Sequence, residues 1–236
     1  MAERKPLIVA PLIVAIDGPA GAGKSTVARA LAQRFGLLNL ESGAMYRAVA
    51  LKALQTRVAT SDAAALETLA HATQVRLEPR LEGNRVLLDG ADVTGQLRTP
   101  QITAAASEVS VHPAIRRWLV GLQQVLGAEG NVVMEGRDIG TVVFPHAPVK
   151  IFLDASPEKR GERRYEQTVG TAVATQLPVT VLEEIRERDR RDRTRADSPL
   201  RPAPDAVIID STNLSLEQVI ERAAALVDNY LAASNR

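Results

Sequence analysis

The apolar residues of this chain keep two rhythms. Short apolar-rich runs at 12–16, 37–40, 131–135, 149–153 and 206–209 predict five strands, those at 12–16 and 131–135 buried, and the run at 149–153 is expected as the fourth of a parallel sheet. Between them apolar positions recur every three or four residues. Val27, Ala28, Leu31 and Phe35 predict a helix over 24–35 that stops at Gly36. The same spacing runs through Met45, Val49, Leu51 and Leu54, and returns over 61–72, 100–109, 113–126 and 214–231. Strand alternating with helix is the rhythm of an α/β domain. One stretch breaks it. Three short β-like pieces at 75–78, 85–89 and 93–94 are separated by Glu82-Gly-Asn and Gly90-Ala-Asp, which predicts a small antiparallel lobe inserted in the domain.

The second half is more polar. Asp154-Ala-Ser-Pro157 opens a helix that carries Arg160, Arg163 and Arg164, and residues 170–179 form a polar, helix-poor link suited to a mobile segment. Residues 182–195 hold six arginines interleaved with acids. Most of these predict a solvated helix laced with i,i+4 pairs. Arg188, Asp192 and Arg195, however, share one face with Ile185, and that face is a candidate for ligand contact. Residues 198–204 are turn-rich.

The amino terminus needs separate treatment. Arg4 and Lys5 precede an apolar run over 6–16, the outline of a secretory leader, but cleavage there would destroy the glycine-rich loop that follows, and the run is too short to span a bilayer. No leader is expected. PLIVA occurs twice, at 6–10 and 11–15, and Pro11 lacks the N–H of a central strand, so the buried strand is expected from Leu12 with residues 1 to about 10 as an extension.

The chain has 236 residues, of which 45% are hydrophobic, enough for one sizeable core. A net charge of +1 argues against a protein that wraps nucleic acid, and 3% aromatic residues leave few platforms for stacking single strands. The absence of cysteine removes disulfides, thiolate metal sites and cysteine nucleophiles, and fits a reducing, cytoplasmic location.

The strongest motif lies between the first predicted strand and helix. Gly18-Pro19-Ala20-Gly21-Ala22-Gly23-Lys24-Ser25-Thr26 matches G-x-x-x-x-G-K-[ST]. Its glycines let backbone N–H groups turn onto a polyphosphate, Lys24 can bridge the β and γ phosphates, and the Ser25 hydroxyl can hold Mg²⁺. This chemistry points to a nucleoside triphosphate. Further on, Ser42 opens a helix with Arg47 one turn in, where a guanidinium can fork onto a phosphate. Glu135-Gly-Arg137-Asp138-Ile-Gly140 follows a buried run, the place where open α/β sheets hold ligands. Asp17 and Glu135 both stand at strand ends as candidate supports for the metal, and spacing does not choose between them. His112 beside Pro113 is assigned no role.

These stretches taken together resemble the bacterial cytidylate kinases of the nucleoside monophosphate kinase group. The resemblance is carried by IDGPAGAGKST (16–26), SGAMYR (42–47), AAASEV (104–109), EGRDIGTVVFP (135–145), KIFLDAS (150–156) and RERDRRDRTR (186–195), and covers all but the first ten or so residues. It implies an α/β fold with a five-stranded parallel sheet as P-loop core flanked by helices, a small antiparallel monophosphate-binding insert, and a helical lid. The core would take about 11–60, 100–155 and 205–236, the insert about 61–99 and the lid about 156–195. It implies phosphorylation of CMP and dCMP by ATP with Mg²⁺, on a cytoplasmic monomer without nucleic-acid or membrane partners.

Carried over by position, the resemblance puts ATP on Gly18 to Thr26. The cytosine would meet Ser107, Arg116 and Asp138, the sugar Arg188 and Asp192, and the acceptor phosphate Arg47, Arg137 and Arg195, with Ser42 nearby. Lys24, Arg137, Arg160, Arg164 and Arg195 would carry catalysis, Arg160 and Arg164 closing on the donor from a helix pair around Gly170. Glu41 stands where many relatives have Asp. A phosphoryl transfer of this kind needs alignment and charge neutralisation rather than a general base. Alternative readings are a P-loop kinase for another small acceptor and a nucleotide-gated switch.

Overall fold

A computed structural model describes residues 11–80, 83–168 and 178–234. The expected extension over 1–10 and most of the 170–179 link, including Gly170, lie outside the described residues. The first half runs β1 (Ile13–Asp17), α1 (Lys24–Phe35), β2 (Leu38–Glu41), α2 (Ser42–Gln55), α3 (Ala63–His71), β3 (Val75–Arg80), β4 (Gly83–Leu88) and β5 (Ala91–Asp92). The second runs α4 (Pro100–Val109), α5 (Pro113–Gly127), β6 (Val132–Gly136), β7 (Val149–Asp154), α6 (Pro157–Thr168), α7 (Pro178–Thr194), β8 (Val207–Asp210) and α8 (Leu216–Ser234).

Local chemistry accounts for several boundaries. Gly36 adopts φ 69° and returns its N–H to the Ala32 carbonyl, which ends α1. The Asp62 carboxylate caps α3 by accepting the Ala65 N–H at 3.0 Å, and the Thr99 hydroxyl caps α4 ahead of Pro100.

The five runs form one parallel sheet in the order β2-β6-β1-β7-β8, with Leu38 and Ile208 exposed on its edge strands. Because side chains alternate across a strand, the runs of β1, β2 and β6 feed two cores, whereas β7 and β8 feed one, and the edge strand β8 leaves Val207 and Ile208 exposed. Val14, Ile16, Val133, Ile151 and Leu153 pack under α1 and α8. Ala15, Val132 and Met134 pack on the other face against α2, α4 and α5. β1 sits between β6 and β7, so the chain crosses to opposite sides of β1 and leaves a crevice at the carboxyl ends of these strands.

The antiparallel lobe has the order β3-β4-β5, and Val75, Leu77, Val86 and Leu88 extend the second core cluster through it. A buried side chain of the lobe hydrogen-bonds to the edge of the main sheet. Asn84, buried on β4, accepts the Glu41 N–H at 2.7 Å and donates to the Asn39 carbonyl at 2.6 Å. It thereby satisfies the free edge of β2 as another strand would.

Most boundaries fall within a few residues of the sequence expectation, and two of the differences have a local cause. The lobe's third strand is Ala91–Asp92 rather than 93–94, because Asp92 accepts both the N–H and the hydroxyl of Thr94 and folds the chain into a 3₁₀ turn. α7 opens at Pro178, a residue tolerated in a first helical turn, so Val179 belongs to the helix and not to the link.

Asn84→Ala is expected to lower stability by about 1–3 kcal/mol, because both partners on β2 lose their bond at once. Urea unfolding of the two proteins measures it, and a change below about 0.5 kcal/mol, the ordinary size for a surface substitution, would show that the edge is satisfied otherwise.

Candidate functional site

β1 ends by delivering Gly18 to a place no side chain can occupy. Its φ is 149°, and a Cβ built there would stand 2.0 Å from the Leu153 carbonyl oxygen on β7. Gly21 and Gly23 also take positive φ, and Gly23 enters α1 with no side-chain cap and no acid in the first turn. The helix therefore presents its positive end to the crevice uncompensated.

Lys24 is buried, and its ammonium donates to the Pro19 carbonyl at 2.7 Å. Burial and then the neighbouring Arg137 push its pKa down to about 7, against the pull of Glu135. Ser25 donates its hydroxyl to Glu135 Oε1 at 2.6 Å. The two candidate acids thus separate by task. Asp17 spends its carboxylate on the N–H groups of Ile139 and Gly140 at 2.8 and 2.7 Å, fixing the turn after Asp138, and burial pushes its pKa up to about 7. Glu135 is the acid at the Ser25 hydroxyl.

The opposite wall is made of arginines. Arg137 donates from Nε to Asp192 at 2.8 Å and from Nη1 to the Gly136 carbonyl at 3.2 Å. Arg195 approaches the other Asp192 oxygen at 3.8 Å. Burial drives the Asp192 carboxyl up, but Arg137, Arg188 and Arg195 together outweigh it and hold it below the usual range. Arg188 shows the converse, with burial and then Arg137 pushing it down to about 10. Arg47 pairs with Glu41 at 2.6 Å, and Arg98 reaches the same carboxylate at 3.6 Å. The longer Glu41 side chain thus still serves Arg47.

At the floor, Arg116 forms a buried ion pair with Asp138 and donates to the Ser110 carbonyl at 3.1 Å. The Arg116 guanidinium lies 5.5 Å from the centre of the Tyr46 ring. Ser107 Oγ and Tyr46 Oη are buried there with no hydrogen-bond partner. Unpaired buried hydroxyls are costly, and groups left so at a cavity wall are the ones a polar ligand satisfies. Ser42 does not cap its own helix; its hydroxyl donates to the Glu135 carbonyl at 2.7 Å and holds α2 against β6.

One cavity of about 1490 Å³ collects these groups. It is larger than the usual single-ligand pocket of roughly 300–1,000 Å³. Ala20 to Thr26, Ser42, Arg47, Ser107, Arg116, Arg137, Asp138, Arg164, Arg188, Asp192 and Arg195 all line it. Gly18 and Pro19, at the start of the loop, do not line the cavity, and neither does Arg160; its nitrogens bond to the Ala155 and Ala20 carbonyls and to Asp189. Sequence reasoning passed over Arg98 and Tyr46. Tyr46 stood inside the SGAMYR motif and was available, whereas Arg98 follows the lobe with no local pattern to mark it.

Arrangement and relatives agree. The family model for cytidylate kinase matches residues 14–229. The chain belongs to the cytidylate kinase family. Within that family it is 52% identical to a cytidylate kinase of Pelotomaculum thermopropionicum over 215 residues, covering 91% of this chain and 95% of the relative. A cytidylate kinase of Solibacter usitatus is 49% identical over 219 residues, covering 92% of each. Among solved structures, a shikimate kinase from Bacteroides thetaiotaomicron aligns at TM-score 0.48 and 12% identity over 94% of this chain and 99% of that one. Among the described residues, no helix is long and apolar enough to cross a membrane.

Gly18→Ala is expected to cost about 3 kcal/mol or more and to abolish ATP binding, since the added methyl must displace the β7 backbone. Gly95→Ala, where a Cβ meets nothing within 4 Å, is the control and should change neither. Urea unfolding and nucleotide titration read both; a folded Gly18→Ala protein that binds ATP normally would refute this account of the loop.

Proposed function

We propose that this protein transfers the γ-phosphoryl group of ATP to CMP and dCMP, with ATP on the Gly18–Thr26 loop and the monophosphate across the Arg137–Asp192 wall. The observation that supports it best is the floor of the cavity. An acceptor-only carboxylate, Asp138, sits beside a donor-only guanidinium, Arg116, with the Ser107 hydroxyl unpaired next to them. Cytosine presents an N4 amine beside N3 and O2 acceptors, and this set matches it. Uracil presents an acceptor and a donor in the N4 and N3 places, and meets acceptor with acceptor and donor with donor. On this reading the sugar lies by Arg188 and Asp192 and the acceptor phosphate by Arg47, Arg137 and Arg195. The lobe over about 61–99 closes the acceptor side, while within 156–195 α6 approaches the donor loop and α7 carries acceptor-side charges.

Transfer moves the γ-phosphorus from the ADP oxygen to an oxygen of the acceptor phosphate, with charge spread over the three equatorial oxygens. Lys24 neutralises that charge from the donor loop, and Arg137, Arg195 and Arg164 from the facing wall. The arginines also hold two anions together that would otherwise repel, which supplies alignment. The Ser25 hydroxyl beside the Glu135 carboxylate is a hard-oxygen set that suits Mg²⁺, an ion that keeps several waters and takes its other ligands from substrate phosphates. When bound, the ion offsets charge between the β and γ phosphates.

Two substitutions test the reading. Lys24→Ala removes a transition-state charge contact and is expected to lower kcat by about 10²–10³ in a folded protein; near-normal kcat would remove the donor loop from the mechanism. Asp138→Asn keeps the shape but can turn its amide to donate. It is expected to lower kcat/KM for CMP and to narrow the CMP to UMP ratio by about 1–3 kcal/mol. Equal loss with both monophosphates would mean that Asp138 does not read the base.

A further inference from the structure

Arg160 is among the most deeply buried large side chains of the described residues, 1% exposed, although it carries a permanent charge. It stands on α6 with its Nε donating to the Ala155 carbonyl at 2.8 Å. Nη1 donates at 3.0 Å to the carbonyl of Ala20, in the middle of the glycine loop. Nη1 and Nη2 together grip Asp189 of α7 at 3.1 and 2.5 Å, a fork-on-fork pair. The contact with the loop is close in the backbone as well, since a Cβ built on Gly21 would lie 3.1 Å from Arg160 Cβ.

What this grip joins is specific. Ala20 belongs to the loop that holds the donor. Asp189 follows Arg188 directly and precedes Asp192 by less than one turn, and both of those line the cavity on its acceptor side. One guanidinium therefore spans from the donor loop to the helix that carries the acceptor-side charges, and no part of it faces the cavity. A buried Arg–carboxylate fork has little freedom in distance or angle, unlike a lysine contact. Loss of about 1 Å of register between reacting groups can cost about 10²-fold in rate.

We infer that the Arg160–Asp189 pair is a positioning device that sets the separation between the donor loop and the acceptor-side charges of α7 without touching either nucleotide. This assigns Arg160 a different task from the resemblance, which has it closing on the donor. It rests on reading the cavity as the two-nucleotide site, and wild-type turnover of CMP by ATP checks that reading by itself. If wild type turns over CMP, the inference stands or falls on the variants alone.

The test is a double-mutant cycle with Arg160→Gln, Asp189→Asn and both together, read as kcat, KM for ATP and KM for CMP, with thermal unfolding to establish the folded fraction. A positioning pair predicts that each single change lowers kcat about 10- to 100-fold, that kcat falls more than either KM rises, and that the double variant is no worse than the poorer single one. Should the Gln and Asn variants not fold, Arg160→Lys and Asp189→Glu keep the charges while altering the fork. They are expected to fold and to lower kcat at least several-fold. Three results overturn the inference. If Asp189→Asn is near wild type while Arg160→Gln is inactive and the effects multiply, Arg160 contacts a phosphate. If Tm falls but kcat well below Tm is unchanged, the pair only stabilises the fold. If the conservative pair matches wild type in kcat, fork geometry has no part in the rate.

Discussion

Concentrated positive charge in a buried place is the constraint on which this structure turns. Lys24, Arg137, Arg188 and Arg195 surround one carboxylate, Asp192, at the head of the crevice. Taking such charges from water is expensive, and burial first, then repulsion from Arg137, pushes Arg188 down to about 10 and Lys24 down to about 7. No single local element could gather them. They come from the donor loop, the end of β6 and the far end of α7, three elements distant in sequence. Anionic substrates complete the arrangement by supplying the charge that the protein withholds.

The carboxylates of the site are divided by neighbour. Asp17 and Glu135 stand on adjacent strands one residue out of register, Ile16 facing Glu135 and Asp17 facing Gly136. Asp17 reaches the backbone N–H groups after Asp138 and sets the turn there, while Glu135 reaches Ser25. One strand pair thus positions both carboxylates. Sequence spacing left these two acids equivalent, because both end an apolar run; only the turn at Ile139, present in three dimensions, distinguishes them.

Legibility in the sequence followed range. The five strand runs, the helices between them and the existence of the lobe were readable because periodicity is a local property that burial on one or two faces imposes directly. The glycine loop was readable because positive φ and close backbone approach leave glycine as the fitting residue. The resemblance then drew distant stretches together and named the side chains that line the cavity. What escaped were partnerships made by tertiary contact alone: Asn84 sealing the β2 edge, Arg98 meeting Glu41, and Arg160 turned inward onto Asp189. An arginine in an arginine-rich segment carries no local sign of whether it faces phosphate or protein.

The most direct test of the whole account is a choice of acceptor. ATP turnover by the wild-type protein would be measured with CMP, dCMP, UMP, AMP and small alcohols such as shikimate in turn. The account predicts rapid ADP formation with CMP and dCMP, with UMP and AMP weaker by at least ~10-fold, the least that one good base contact provides, and no response to the alcohols. Equal turnover with every monophosphate, or a rate that none of them raises, would contradict it.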